Sequence, residues 1–211
     1  MVIDLKRCNG CNACVLACKQ EHFLPPHIFR CRVLTEESGT FPNVKKALIP
    51  IQCNQCREPV CVEACPTKAT YRREDGIVVV DQDKCTGCQH CVTLCPYQER
   101  TCYYGEQKGY YPGQGRTALE EEGEQLYPYQ DGTVMKCNFC IERIEEGLRR
   151  GLTPGVDREA TPACVNTCMC KARVFGDLDD PDSPVSRLLA ERKHYCLHPE
   201  FETDPSVIYL E

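Results

Sequence analysis

Sixteen of the 20 cysteines in this 211-residue chain stand at spacings suited to binding metal. Cys8, Cys11, Cys14 and Cys18 run C-x2-C-x2-C-x3-C. Cys53, Cys56, Cys61 and Cys65 run C-x2-C-x4-C-x3-C, then Pro66. Cys85, Cys88, Cys91 and Cys95 repeat the first spacing, then Pro96. A fourth group is split, with 23 residues between the pair Cys137, Cys140 and the pair Cys164, Cys168. A C-x2-C-x2-C loop wraps three thiolates around one iron–sulfur cubane. In two-cluster ferredoxins a fourth cysteine three residues on points to the neighbouring cluster.

Applied here, that rule gives four [4Fe–4S] clusters with crossed ligation. Set A is Cys53, Cys56, Cys61 and Cys95, and set B is Cys85, Cys88, Cys91 and Cys65. Set C is Cys8, Cys11, Cys14 and Cys168, and set D is Cys137, Cys140, Cys164 and Cys18. Cys170 is a second candidate for the last thiol of set C, although spacing favours Cys168. Cys31, in an apolar stretch with Val33 and Leu34, reads as a packed residue, as does Cys102, and Cys196 reads as a free or packed thiol. Structural zinc is the competing chemistry, because two separated C-x2-C pairs are a common zinc pattern. The fourth group alone would fit it, whereas the triple x2 spacing of the first and third groups suits the cubane. A disulfide network fits such closely spaced pairs poorly.

The elements that must position these thiols form an internal repeat. Residues 47–102 read as an inserted two-cluster ferredoxin-like module. Residues 1–46 and 103–211 form an outer two-cluster module, provided the ends of the chain meet. The expected fold class is α+β, two linked bacterial-ferredoxin-like modules of short strands and helices organised around four cubanes. Helices are expected from Cys14 to Glu21, Cys88 to Leu94, Phe139 to Arg149 and Val185 to Arg192, the last behind a Ser183-Pro184 cap. Strands are expected at Ile77–Val80, paired with Ala69–Arg73, and at Val207–Leu210. Residues 103–136 hold six of the ten tyrosines and the run Glu120-Glu121-Glu122, and read as an irregular excursion. That excursion serves equally as a protein interface or as a cover folded over its own chain.

Composition agrees with a metal-organised interior. Without cysteine, only about a third of the residues are conventionally apolar, thin for a core of this size. The formal charge is −6, with no dedicated basic face, so nucleic acid is not an expected partner. Oxidised clusters with their thiolates carry about −2 each, so four would add roughly −8. Lys6, Arg7, Lys19, Lys84, Lys136, Lys171 and Arg173 flank the cysteine groups, and each reads first as solvated surface charge. No apolar run is long enough to span a membrane, and the N-terminal residues do not read as an export signal. The compartment is therefore open between the cytoplasm and the periplasm, the latter by co-export with a signal-bearing partner.

Four clusters in one small chain make an electron relay. Nothing else in the sequence supplies a reaction. The five histidines form no H-E-x-x-H pattern, and His90, inside the third group, reads as packing against a cluster. Gly113-x-Gly115 lacks the strand-before, helix-after setting of a dinucleotide site. Substrate chemistry is thus expected on a partner.

The chain resembles the electron-transfer (beta) subunits of the dimethyl-sulfoxide-reductase superfamily of Mo/W bis-pterin oxidoreductases. The resemblance rests on residues 4–18, on Cys53-Asn54-Gln55-Cys56 with Pro59 to Pro66, and on Lys84 to Tyr97. It continues in Lys136 to Cys140, Thr161-Pro162-Ala163-Cys164 and the run Phe175 to Ser183. Gly39 to Pro42 and Tyr71 to Asp81 look similar to small subunits of arsenate and polysulfide reductases and of pyrogallol transhydroxylase. The resemblance implies a large catalytic partner holding the Mo/W-bis-pterin cofactor. It also implies a second redox partner, either a membrane quinone-interacting subunit or a soluble electron carrier. Relatives with a three-iron cluster carry tryptophan where this chain has Cys88, so four four-iron clusters are implied. Met169 and Cys170 stand where the family usually has proline after the last cysteine. A free-standing polyferredoxin, or a subunit of a different dehydrogenase, is the alternative reading.

Overall fold

The computed structural model describes residues 1–105, 109–111 and 113–211. Each cysteine group is a loop that closes on a short helix. Strand β1 (Val2–Asp4) leads into the first loop and helix α1 (Ala13–Glu21). A long hairpin follows, β2 (Cys31–Ser38) with β3 (Lys45–Gln52). Helix α2 (Val60–Glu63) carries Cys61, and β4 (Thr70–Arg72) pairs antiparallel with β5 (Val78–Val80). Helix α3 (His90–Thr93) carries Cys91 and precedes β6 (Thr101–Cys102) and α4 (Ala118–Leu126). Strand β7 (Val134–Met135) pairs with β6 and leads to α5 (Ile141–Arg149). Helix α6 (Ala163–Asn166) carries Cys164, and β8 (Arg173–Val174), α7 (Pro184–Glu191), β9 (His194–Tyr195) and β10 (Ile208–Leu210) complete the chain.

The architecture is α+β, with small ferredoxin-like modules repeated around clustered cysteines. The two ends of the chain meet. β1 pairs in parallel with β10, Val2 opposite Ile208, and antiparallel with β8, in a four-stranded sheet ordered β8-β1-β10-β9. Met1, Val2, Ile3, Tyr209 and Leu210 are almost wholly buried there. Cys14, Cys53, Cys137 and Cys164 share one core cluster with Ile3, Ile51, Phe139, Phe175 and Tyr209. Thiols therefore occupy interior positions that aliphatic side chains would hold in an ordinary domain.

Three helices have only four residues, far below the length that is stable alone. The longer ones carry local signals. Ser183 caps α7, accepting from Ser186 N–H at 3.2 Å, with Pro184 in the first helical position. α5 ends at Gly151 in a left-handed conformation, and Leu152 N–H donates to the Gly147 carbonyl at 2.9 Å.

Several short elements, β1, α2, β6, β7, α6, β8 and β9, lie beyond the expected ones, and two larger features differ from expectation. The stretch 103–136, expected to be irregular, holds α4, a nine-residue helix with a capping box. Glu120 N–H donates to Thr117 Oγ1 at 3.3 Å, and Thr117 N–H donates back to Glu120 Oε2 at 2.7 Å. Residues 106–108 and 112 of that stretch lie outside the described residues. The β2–β3 hairpin is a further element beyond the expected ones. Its base is buried and its outer half is exposed on both faces, so no apolar alternation marks it.

Candidate metal centres

Left-handed residues bend the cysteine loops onto themselves. Asn12, Gln89 and Cys140 adopt positive φ immediately before α1, α3 and α5. For residues other than glycine this costs about 1–3 kcal/mol each.

The second group and Cys95 come together. Cys56 lies within electrostatic reach of Cys53, Cys61 and Cys95. Burial, with those neighbours adding, pushes its thiol up to about 12 although Thr203 donates to it. Burial also raises Cys61, and Arg100 Nη2 opposes that by donating to Cys61 Sγ at 2.8 Å. The third group meets Cys65: Cys91 is raised by burial and faces Cys65 and Cys85. Thr70 N–H donates to Cys65 Sγ at 3.4 Å and, against burial, helps to hold that thiol below its usual range. Cys88 is exposed.

The split group meets Cys18. Cys140 faces Cys164, Cys137 and Cys18, and all four are buried. Burial pushes Cys164 up to about 11 and raises Cys137 and Cys140 further. Cys137 also faces Cys53 of the second group. The first group meets the last cysteines: Cys8 faces Cys14 and Cys168, and Ala172 N–H donates to Cys168 Sγ at 3.2 Å. It is the counterpart, one residue earlier in the loop, of the contact from Thr70 to Cys65. Cys170 lines the same small cavity as Cys8, Cys11, Cys14 and Cys168. Buried Cys31 stands between Cys14 and Cys18 and holds both below the usual thiol range, its own proton retained.

In most of these groups burial and the neighbouring thiols' charge oppose ionisation, as at Cys8, Cys56, Cys61, Cys91, Cys137, Cys140 and Cys164. Metal binds the thiolate, and a cluster's own iron removes that conflict. The donor sets therefore fit iron–sulfur clusters. Among the described residues, no three His, Cys, Asp or Glu side chains gather to hold a single ion.

The cations divide sharply. Lys6, Arg7, Lys84 and Lys171 are exposed, as expected, and Lys84 pairs with Asp81 at 2.8 Å. Lys19 is half-buried and donates to the carbonyls of Pro25 at 2.8 Å and Ile28 at 3.2 Å. Lys136 and Arg173 are not surface charge. Lys136 is buried, donates to the carbonyls of Val78 and Cys137, and faces Cys53, Cys61 and Cys137. Arg173 is buried beside Cys164 and Cys14 and donates to Gln52 Oε1 at 2.7 Å. His90 is exposed at the start of α3, not packed against the thiols.

Other residues at the thiols are not singled out as charges or ligands by the sequence: Gln55 lies between two ligand cysteines, and His22 and Arg100 lie outside the cysteine motifs. His22 is buried with Nε2 3.3 Å from Cys140 Sγ, and burial takes its ring down to about 3, so it is neutral. Gln55 donates to the Cys137 carbonyl at 2.7 Å and accepts from Val78 N–H at 2.8 Å, tying the second group to the fourth. Arg100 had one available signal, its place five residues after Cys95, where Arg173 stands five after Cys168.

Among the described residues, no helix is long and apolar enough to cross a membrane. A 4Fe-4S dicluster domain family matches residues 44–110, the stretch holding the second and third groups. A selenate reductase subunit of Mesobacillus selenatarsenatis is 40% identical over 221 aligned positions, covering 100% of this chain and 70% of that protein. A tetrathionate reductase subunit of Salmonella typhimurium is 36% identical, over 100% of this chain and 71% of its own. The arsenate respiratory reductase iron–sulfur subunit of a Shewanella species is 35% identical, over 100% of this chain and 94% of its own.

Proposed function

Because this chain belongs to the iron–sulfur electron-transfer subunits of the dimethyl-sulfoxide-reductase superfamily, we propose that it holds four [4Fe–4S] clusters as a wire through its interior. It is a non-catalytic subunit that relays electrons within a Mo/W-pterin oxidoreductase complex. The ligands in this reading are the crossed sets: Cys53, Cys56, Cys61, Cys95; Cys85, Cys88, Cys91, Cys65; Cys8, Cys11, Cys14, Cys168; and Cys137, Cys140, Cys164, Cys18. Each cluster, when bound, accepts and passes on a single electron.

The observation that carries the proposal is where sulfur reaches the surface. Cys11 of set C and Cys88 of set B are the exposed cysteines, whereas all of set D is buried. Cys137 of set D faces Cys53 of set A, and Lys136 stands against both. With Cys14 of set C facing Cys18 of set D, the reading gives the order C–D–A–B, with an exposed thiol in each end set, set D wholly buried and set A half-buried between. Such an arrangement passes charge through the molecule and shields set D from water. One end then faces a large catalytic subunit with the Mo/W-bis-pterin. The other faces a quinone-linked membrane subunit or a soluble carrier. The division into an inner module, 47–102, and an outer module of 1–46 with 103–211 belongs to the same proposal. The β1–β10 pairing and the use of both chain ends in sets C and D support it.

Anaerobic purification of the native complex tests this reading. We expect about 16 iron and 16 sulfide per copy of this chain beyond the partner's own, with Mo or W on a large co-purifying chain. Zinc in place of iron, or full iron with neither partner nor Mo or W, would reject it.

A further inference from the structure

Two buried guanidinium groups occupy equivalent places in the repeat. Arg100 is the fifth residue after Cys95, and Arg173 is the fifth after Cys168. They are 4% and 3% exposed. Each stands between two cysteine sets. Arg100 donates to Cys61 Sγ of set A at 2.8 Å and faces Cys91 of set B. Its other terminal nitrogen donates to Thr70 Oγ1 at 3.3 Å, and Thr70 N–H in turn donates to Cys65 Sγ of set B at 3.4 Å. Arg173 faces Cys14 of set C and Cys164 of set D, and is anchored by Gln52 Oε1 at 2.7 Å. Among the described residues its Nη2 is buried without a hydrogen-bond partner. A buried donor left unmade is costly, and a cluster-bound sulfur beside it would satisfy it. Among the described residues neither arginine pairs with a carboxylate, and each charge faces sulfur.

We propose that Arg100 and Arg173 are paired potential-setting residues, each placing one permanent positive charge between two four-iron sites and favouring the reduced state of both. The proposal rests on the four-cluster reading. Guanidinium does not lose its proton in a protein, so the charge is constant across pH. Reduction adds an electron at the site, and a cation held a few ångströms away in a low-dielectric interior stabilises that electron. Because each arginine serves its own pair, sets A and B are tuned by one residue, and sets C and D by the other.

Arg100→Gln and Arg173→Gln, with Lys at each position as charge-keeping controls, test this in the intact, anaerobically purified complex. Iron and sulfide are assayed first, and the midpoint of each cluster is then followed by EPR during a redox titration. Wild-type iron short of four clusters counts against the four-cluster reading itself, separately from the arginines. In iron-replete protein, Arg100→Gln is expected to lower the reduced-to-oxidised ratio of clusters A and B about tenfold at a fixed potential, 59 mV for a one-electron couple. Clusters C and D should stay put. Arg173→Gln should do the reverse, and the Lys variants should recover most of each shift. Unchanged midpoints with full iron, or equal shifts in all four clusters, overturn the proposal. Should Arg100→Gln shed iron, Arg173→Gln decides the rule at the other pair. Shedding at both positions overturns it in favour of a purely structural role.

Discussion

Cys95 lies in the third group by sequence, yet it stands with Cys53, Cys56 and Cys61. Cys95→Ala is therefore expected to remove the cluster of the second group and to spare the one held by Cys85, Cys88 and Cys91. EPR of the reduced variant checks this, and loss of the third-group signal instead would sink the crossed assignment. A second residue-scale consequence concerns pH. Burial pushes the Glu99 carboxyl up from 4.5 to about 7, although Arg32 Nη2 lies 2.9 Å away. The folded value lies above the unfolded one, so the native state binds the additional proton. That stabilisation is fully present below the unfolded value and is lost as pH rises through about 7. Glu99→Gln, which never ionises, should gain on wild type by a few kcal/mol as pH rises from about 5 to about 8. Paired thermal-unfolding curves at several pH values measure it, and a pH-independent gap would reject it.

At the scale of elements, close packing decides against intrinsic preference. Gly147 lies in α5, where alanine would improve helix propensity by about 1 kcal/mol. A Cβ there would overlap the Ala160 side chain and come within 2.8 Å of its Cα. Overpacking costs about 1–3 kcal/mol, so Gly147→Ala should lower the thermal midpoint, contrary to the helix scale. Thr117→Ala should cost α4 about 1 kcal/mol and speed amide exchange over Ala118–Leu126, with the cluster spectra unchanged. α1 and α3 were legible because thiol spacing fixes where a loop must close, whereas α2 and α6, four residues each, are too short to show in the pattern. α5 and α7 were legible from apolar periodicity and caps. α4 was hidden by a tyrosine- and glycine-rich setting, although Thr117 and Glu120 spell a capping box. The β2–β3 hairpin was hidden because its outer half is solvated on both faces, and Pro50 within β3 does not announce a strand. Arg100 was missed because its meaning lies in what it touches across the fold, not in its neighbours along the chain.

At the scale of the molecule, the sheet that joins β1 to β10 ties sets C and D together. Tyr209 is fully buried in it, and its hydroxyl donates to the Pro50 carbonyl at 2.9 Å. Tyr209→Asp would bury a charge there and is expected to cost the clusters of sets C and D, about half of the iron, since metal binding and folding are linked. Iron analysis with EPR should find the clusters of sets A and B retained, and loss of all four alike would reject a separable outer module. The same sheet imposes a timetable on biogenesis. Strand β1 and the first cysteine group leave the ribosome before Cys95, but their parallel partner β10 follows it by more than 100 residues. At about 5–20 residues per second, the interval between Cys95 and Leu210 is roughly 6–23 s. For that time Cys8, Cys11 and Cys14 belong to an open chain, while every thiol of sets A and B has already been made. Nascent protein thus passes through a stage at which the early thiols of sets C and D are exposed to oxidants and stray metal, and iron delivery to the outer sites must follow β10 into place.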